Sequence, residues 1–186
     1  MPSVVPQPAR NAAETRARIL EAAQTIFAEK GYSQTGLREI AAQAGVVSSL
    51  LVKYFRTKAN LFEEALASSL REDLHLDDKP HFAERLMKAL IDPNMRVVAP
   101  AMIALSLGDE EARDISSRVA RQYIIAPLAA WIGPPHGEAR AASAMMLSVG
   151  FAIFTRHLQT LPAQAEQNAA QDWLVRTIQA VLDGNS

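Results

Sequence analysis

Residues 35–58 read TGLREIAAQAGVVSSLLVKYFRTK, and the rest of the chain is organised around them. Leu37, Ile40, Ala41 and Ala44 recur at helical spacing and make one apolar stripe. Gly45 follows at once, the residue that closes a helix in the left-handed conformation without steric cost. Val46 packs the turn, and Ser48 or Ser49 can cap the next helix by accepting from a free backbone N–H. That helix, about Ser48 to Tyr54, is expected to bury Leu51 and Phe55. It leaves Ser48, Ser49, Val52 and Lys53 facing outward. Two short helices about a glycine turn, the second with a polar face, make a helix-turn-helix, whose second member lies in the DNA major groove. An ordinary helical hairpin inside a bundle would satisfy the same spacing.

A long amphipathic segment precedes the motif, and KYFRTKANLFEEAL carries the chain out of it. Across this block stand Arg18-Ile19-Leu20, Ala22-Ala23, Phe27, Gly31-Tyr32, Thr35, Ile40-Ala41, Ala44-Gly45-Val46, Leu51, Tyr54-Phe55, Lys58 and Leu61. In that order and register, about Glu14 to Leu66 closely resembles the N-terminal DNA-binding domain of the TetR family of one-component bacterial transcriptional regulators. Two positions depart from the pattern: Val47, where the family usually has Ser or Thr, and Val52, where it usually has an aromatic residue. Side-chain chemistry makes Ser48, Ser49 and Lys53 candidates for base edges or phosphates, lysine suiting guanine acceptors. The resemblance adds Tyr54 and Lys58, which lie where relatives grip the DNA backbone. Thr35 and Arg38, at the start of the first motif helix, are placed for flanking phosphates. Phosphate contacts of this kind set affinity and register rather than sequence preference.

At 186 residues with 49% apolar side chains, the chain can form one large domain or two small ones with proper cores. No apolar run approaches the ~20 residues of a membrane helix, and the first residues lack the order of a signal peptide. These features predict a cytoplasmic protein. Without cysteine, disulfides, thiolate metal sites and thiol redox sensing are excluded. The net charge of −1 hides an asymmetry. Residues 1–58 hold eight basic and four acidic side chains, against eleven and sixteen in the remainder. A basic first third on an acidic body is the footprint of a DNA-reading head.

The expected architecture is all-α, about nine helices. Residues 1–13 read as a disordered arm, 14–58 as the helix-turn-helix domain, 58–73 as a linking helix and 79–186 as a ligand-binding and dimerisation domain. The first helix is expected over Glu14–Lys30, ended by Gly31, with Thr35 or Gly36 capping the next. Beyond the proline-marked joint at residues 72–80, helices are expected at about 81–91, from Pro93 to Leu107, 109–132 with a break at Pro127, 137–161 and 167–182. The last two are apolar on more than one side, which implies burial on two sides; in the family resembled, that pair packs against its copy in a second subunit.

Catalytic constellations are missing: no glycine-rich phosphate loop, serine elbow or HExxH pair occurs, so no enzyme is expected. His75, Asp77, Asp78 and His81 come nearest to a metal cluster and read as solvated side chains; neither metal nor cofactor is expected. The family's body encloses an effector cavity. Phe82, Leu86, Met102, Tyr123, Trp131, Met145, Phe151 and Phe154 are the candidates to line one here, suited to an apolar or aromatic ligand. The implied function is a dimeric regulator, a repressor at a palindromic operator released by a small apolar effector. A ligand-dependent activator would use the same parts. A small-molecule-binding or interaction protein that has lost DNA binding is the competing class, motivated by Val47 and Val52.

Overall fold

The computed structural model describes residues 8–73, 76–158, 160 and 163–185, and among these there are helices and no strands. Helix α1 (Pro8–Gln34) is broken at Gly31, where φ 72° and ψ 177° interrupt the helical path. It starts earlier than expected: residues 8–13 are helical rather than part of a disordered arm. Proline is well accommodated at a helix start, where its missing N–H would have had no partner anyway. Residues 1–7 lie outside the described residues. Then come α2 (Leu37–Gln43), α3 (Ser48–Phe55) and α4 (Lys58–Asp73).

The body comprises α5 (Phe82–Ile91), α6 (Ala99–Ser106), α7 (Glu110–Ala120), α8 (Ala126–Ile132), α9 (Gly137–Ala152) and α10 (Gln164–Asp183). A π-helical turn, Arg121–Ile125, joins α7 to α8, so the expected break falls just before Pro127. The proline ring cannot coexist with a regular bond to the carbonyl one turn back. The wider turn, in which the Ala126 N–H reaches the Arg121 carbonyl, absorbs the conflict. A second π turn, Ile153–His157, extends α9. Counting each π-joined rod once leaves nine helices among the described residues.

Helix α6 begins at Ala99, later than expected from Pro93, because residues 92–98 are held as a loop. The Asp92 carboxylate accepts from the Asn94 N–H at 2.8 Å, and the Arg156 guanidinium donates to the carbonyls of Leu90, Asp92 and Met95. Helix α10 starts at Gln164 rather than Gln167. Leu161, the expected end of the preceding helix, and His75 lie outside the described residues. His81 pairs with Asp78 through Nδ1 at 3.1 Å, and among the described residues no group of three or more ligating side chains is placed to hold a metal.

Two apolar cores form, and they do not divide at the joint. The first joins α1–α4 to α6 and α7. Ile19, Phe27, Leu51, Phe62 and Leu66 of the head are buried with Met102, Ile115 and Val119 of the body. The second joins α5, α8, α9 and α10 through Phe82, Leu128, Ile132, Ala144, Leu174 and Ile178. The expected separation into 14–58 and 79–186 is therefore bridged by packing, with α1 laid along α6. Sequence proximity cannot register a contact made by segments more than seventy residues apart.

Asp109 anchors this bridge. Its carboxylate accepts from the Ala112 N–H at 3.1 Å, capping α7, and from the Ser33 hydroxyl of the head at 2.8 Å. The Ala112 bond, then the Ser33 bond, hold its pKa below the ordinary 3.8. A depressed carboxylate pKa contributes stability that is present above the unfolded value and lost as pH falls through the folded one. Melting temperature should therefore fall less steeply below about pH 4 in Asp109→Asn than in the native chain, since asparagine also caps helices but does not titrate. Equal slopes in thermal melts across that range would contradict this role.

Candidate nucleic-acid interface

Helix α2 ends in a left-handed cap that aims α3. Gly45 has φ 65°, its N–H reaches the Ala42 carbonyl at 3.1 Å, and the Val46 N–H reaches Ala41 at 2.9 Å. This pair of bonds is the Schellman arrangement, which uses the last free carbonyls of a helix and turns the chain away. Val47 then serves as the N-cap of α3 in extended conformation, with no side-chain cap. The expectation of a serine cap is thus corrected: Ser48 and Ser49 are already inside the helix, too late to accept from its first N–H groups.

Leu51 and Phe55 are buried, so α3 is held by one face, as expected. Ser49, Val52 and Lys53 are exposed and Ser48 is half-buried. Arg38 on α2 and Arg56 at the end of α3 are exposed as well, and among the described residues neither they nor Lys53 form an ion pair. Arg56 is an addition the sequence pattern missed. Its place just past the end of α3, three residues after Lys53, was the available signal.

Three candidates sit elsewhere. Thr35 is 3% exposed and its hydroxyl donates to the Gly31 carbonyl at 2.6 Å. It braces the turn before α2 instead of facing a phosphate or capping that helix, whose N-cap is Gly36. Lys58 points inward: its ammonium donates to the Tyr32 carbonyl at 3.0 Å and lies 4.1 Å from the centre of the Tyr32 ring. Tyr54 is half-buried against the first core.

Tyr32 in turn fastens this frame to the body. Its N–H donates to Ser106 Oγ at 3.0 Å and its hydroxyl to Glu111 Oε2 at 2.5 Å. Burial, then the bond to Glu111, raise its pKa far above the ordinary phenol value, so the proton stays in place as a donor. The head's orientation and the position of α6 and α7 are consequently one mechanical question.

In the body, a cavity of about 130 Å³ lies at the seam between the two cores. Leu86, Leu90, Ile103, Ile124 and Met145 line it, with Ser148 as its one hydroxyl. Ser148 already donates to the Ala144 carbonyl at 2.7 Å. Of the eight expected lining residues, Leu86 and Met145 are there. Phe82 and Trp131 pack on each other at 5.2 Å in the second core. Met102 is wholly buried in the first, and Tyr123 takes the Arg71 guanidinium over its ring at 4.9 Å. Phe151 lines a separate, more polar cleft beside Arg156 and Asn168, while Phe154 is 55% exposed. Size and apolarity do not reveal which side of a core seam a residue occupies.

Family-wide sequence patterns place this geometry among known proteins. One described as bacterial regulatory proteins, tetR family, matches residues 19–65, and one described as tetracyclin repressor-like, C-terminal domain, matches 80–182. The HTH-type transcriptional regulator AcrR of Shigella flexneri is 37% identical over 75 residues, 39% of this chain and 35% of that protein. The HTH-type transcriptional repressor Rv3405c of Mycobacterium tuberculosis is 34% identical over 93 residues, 48% of this chain and 47% of that protein. The chain thus spans between a third and a half of the length of these curated relatives. A solved structure from Rhodococcus sp., assigned to the TetR-family regulators, superposes with a TM-score of 0.73 at 22% identity, covering 91% of this chain and 99% of that one. At that identity the likeness speaks for the fold alone.

Proposed function

The chain belongs to the TetR family of bacterial transcriptional regulators, and from that premise we propose that it is a repressor that binds a palindromic operator as a dimer and is released by a small apolar effector. The observation that carries this reading is α3 itself. It is pinned by Leu51 and Phe55 and presents Ser49 and Lys53, with Arg38 and Arg56 beside it as uncommitted cations. Dimerisation is supported by Met146, Phe154 and Trp173, which are 73%, 55% and 54% exposed on and around α9 and α10. Two copies would set two α3 helices about 34–36 Å apart, one turn of DNA. The apolar seam cavity supports an apolar effector. Its widening would shift α6 and α7, and through Tyr32 and Asp109 the head; the effector's preference for that state couples the two sites. Among the described residues no helix is long and apolar enough to cross a membrane.

The test is a salt titration of the full-length chain on its upstream intergenic region by fluorescence anisotropy. Lys53→Ala and Arg56→Ala should each weaken binding and flatten the log–log salt slope by about one unit. A second reading, an effector-binding protein without DNA affinity, draws on the exposed Val47 and Val52. Absence of salt-dependent binding would favour it.

A further inference from the structure

Among the described side chains of α1–α4, the only large apolar ones that stand mostly in solvent are Val47 and Val52, 68% and 51% exposed. Both belong to the segment that the helix-turn-helix presents outward. Val47 is the N-cap of α3, and Val52 lies one turn beyond Ser48 and three residues after Ser49. The same motif carries Arg38, Lys53 and Arg56, all exposed and, among the described residues, without acidic partners. Two exposed valines on a motif that also carries exposed cations are far too small an apolar area for a protein partner, whose interfaces bury about 800 Å² per side. A DNA duplex matches both features at once. Its phosphates answer the cations, and in the major groove its one apolar feature is the C5-methyl group of thymine.

Resting on the proposed DNA-binding function, we infer that Val47 and Val52 determine operator specificity by packing against thymine methyl groups. The hydroxyl of Ser49, free to donate or accept, serves the neighbouring base edge. This gives the two departures from the family pattern a role of their own, a preference for thymine. The expected size follows from the transfer of one methyl group out of water, worth about fourfold in affinity per contact.

The experiment enriches a binding sequence from a random duplex pool with the full-length chain. The enriched site is then resynthesised with deoxyuridine, which lacks only the methyl group, at each thymine in turn. Native protein should lose about threefold to fivefold in affinity at one or two thymines of each half-site. Val52→Ala or Val47→Ala should bind the thymine site more weakly and no longer distinguish thymine from uracil at one of those positions. Two results overturn the inference: no thymine at which uracil changes native affinity by twofold, or discrimination that persists in both variants. The native uracil series stands even if a variant fails to fold. Failure to enrich any sequence, with no salt-dependent binding, would instead remove the regulator reading and this inference with it.

Discussion

Phe62→Ala is expected to cost about 3–5 kcal/mol of stability, the range for emptying a fully buried aromatic site. Phe62 is 0% exposed on α4, with ring centres 5.0 Å from Phe27 and 5.2 Å from Tyr32, both edge-on. These edge-to-face contacts add to area burial, and their neighbours, α1 and α4, cannot collapse inward without moving α6. For a chain of this size roughly 2–4 °C of melting temperature accompanies each kcal/mol, so a fall of roughly 6–20 °C is expected. Val52→Ala, on the outer face, should stay within about 0.5 kcal/mol of native. Urea denaturation of both variants checks the contrast. A Phe62→Ala loss below about 1 kcal/mol would mean that this aromatic cluster is not the junction of head and body.

Gly31→Ala should be nearly as damaging, for two separable reasons. Its φ of 72° with ψ of 177° lies in a region essentially restricted to glycine, costing about 1–3 kcal/mol for any other residue. A Cβ there would also lie 2.3 Å from the Leu105 carbonyl oxygen, so α6 must back away from α1. Gly45→Ala is the comparison at a positive-φ glycine with open space beside it. Gly45 has φ 65°, but beyond its chain neighbours no atom stands within 4 Å of the place a Cβ would take, so that variant should lose only about 1–2 kcal/mol. The difference between the two, read from thermal melts, reports the glycine-only backbone of Gly31 together with the close approach of head and body. Because the Tyr32 N–H bond to Ser106 follows directly on Gly31, Gly31→Ala should also weaken DNA binding beyond what its unfolded fraction explains. Equal losses at the two glycines would place α6 farther from α1 than the structure has it.

Local patterns were legible because they depend on local physics. The stripe Leu37, Ile40, Ala41 and Ala44, the closing Gly45 and the buried pair Leu51 and Phe55 follow from helical period and backbone sterics, which a sequence states directly. So was the break at Pro127. The roles of Thr35 and Lys58 were not legible. A hydroxyl or an ammonium is equally at home on a phosphate or on a backbone carbonyl, and what decided was Gly31 and Tyr32 lying within reach after folding. The same holds for the cavity, whose walls come from α4, α5, α6, α7, α9 and the π turn before α8 and meet only at a seam between two cores. By itself the sequence determined an all-helical chain with a helix-turn-helix near its start and an α3 that faces outward. Tertiary structure alone decided which polar groups remain free for a partner and which apolar ones border empty space, because both depend on contacts between segments far apart in the chain.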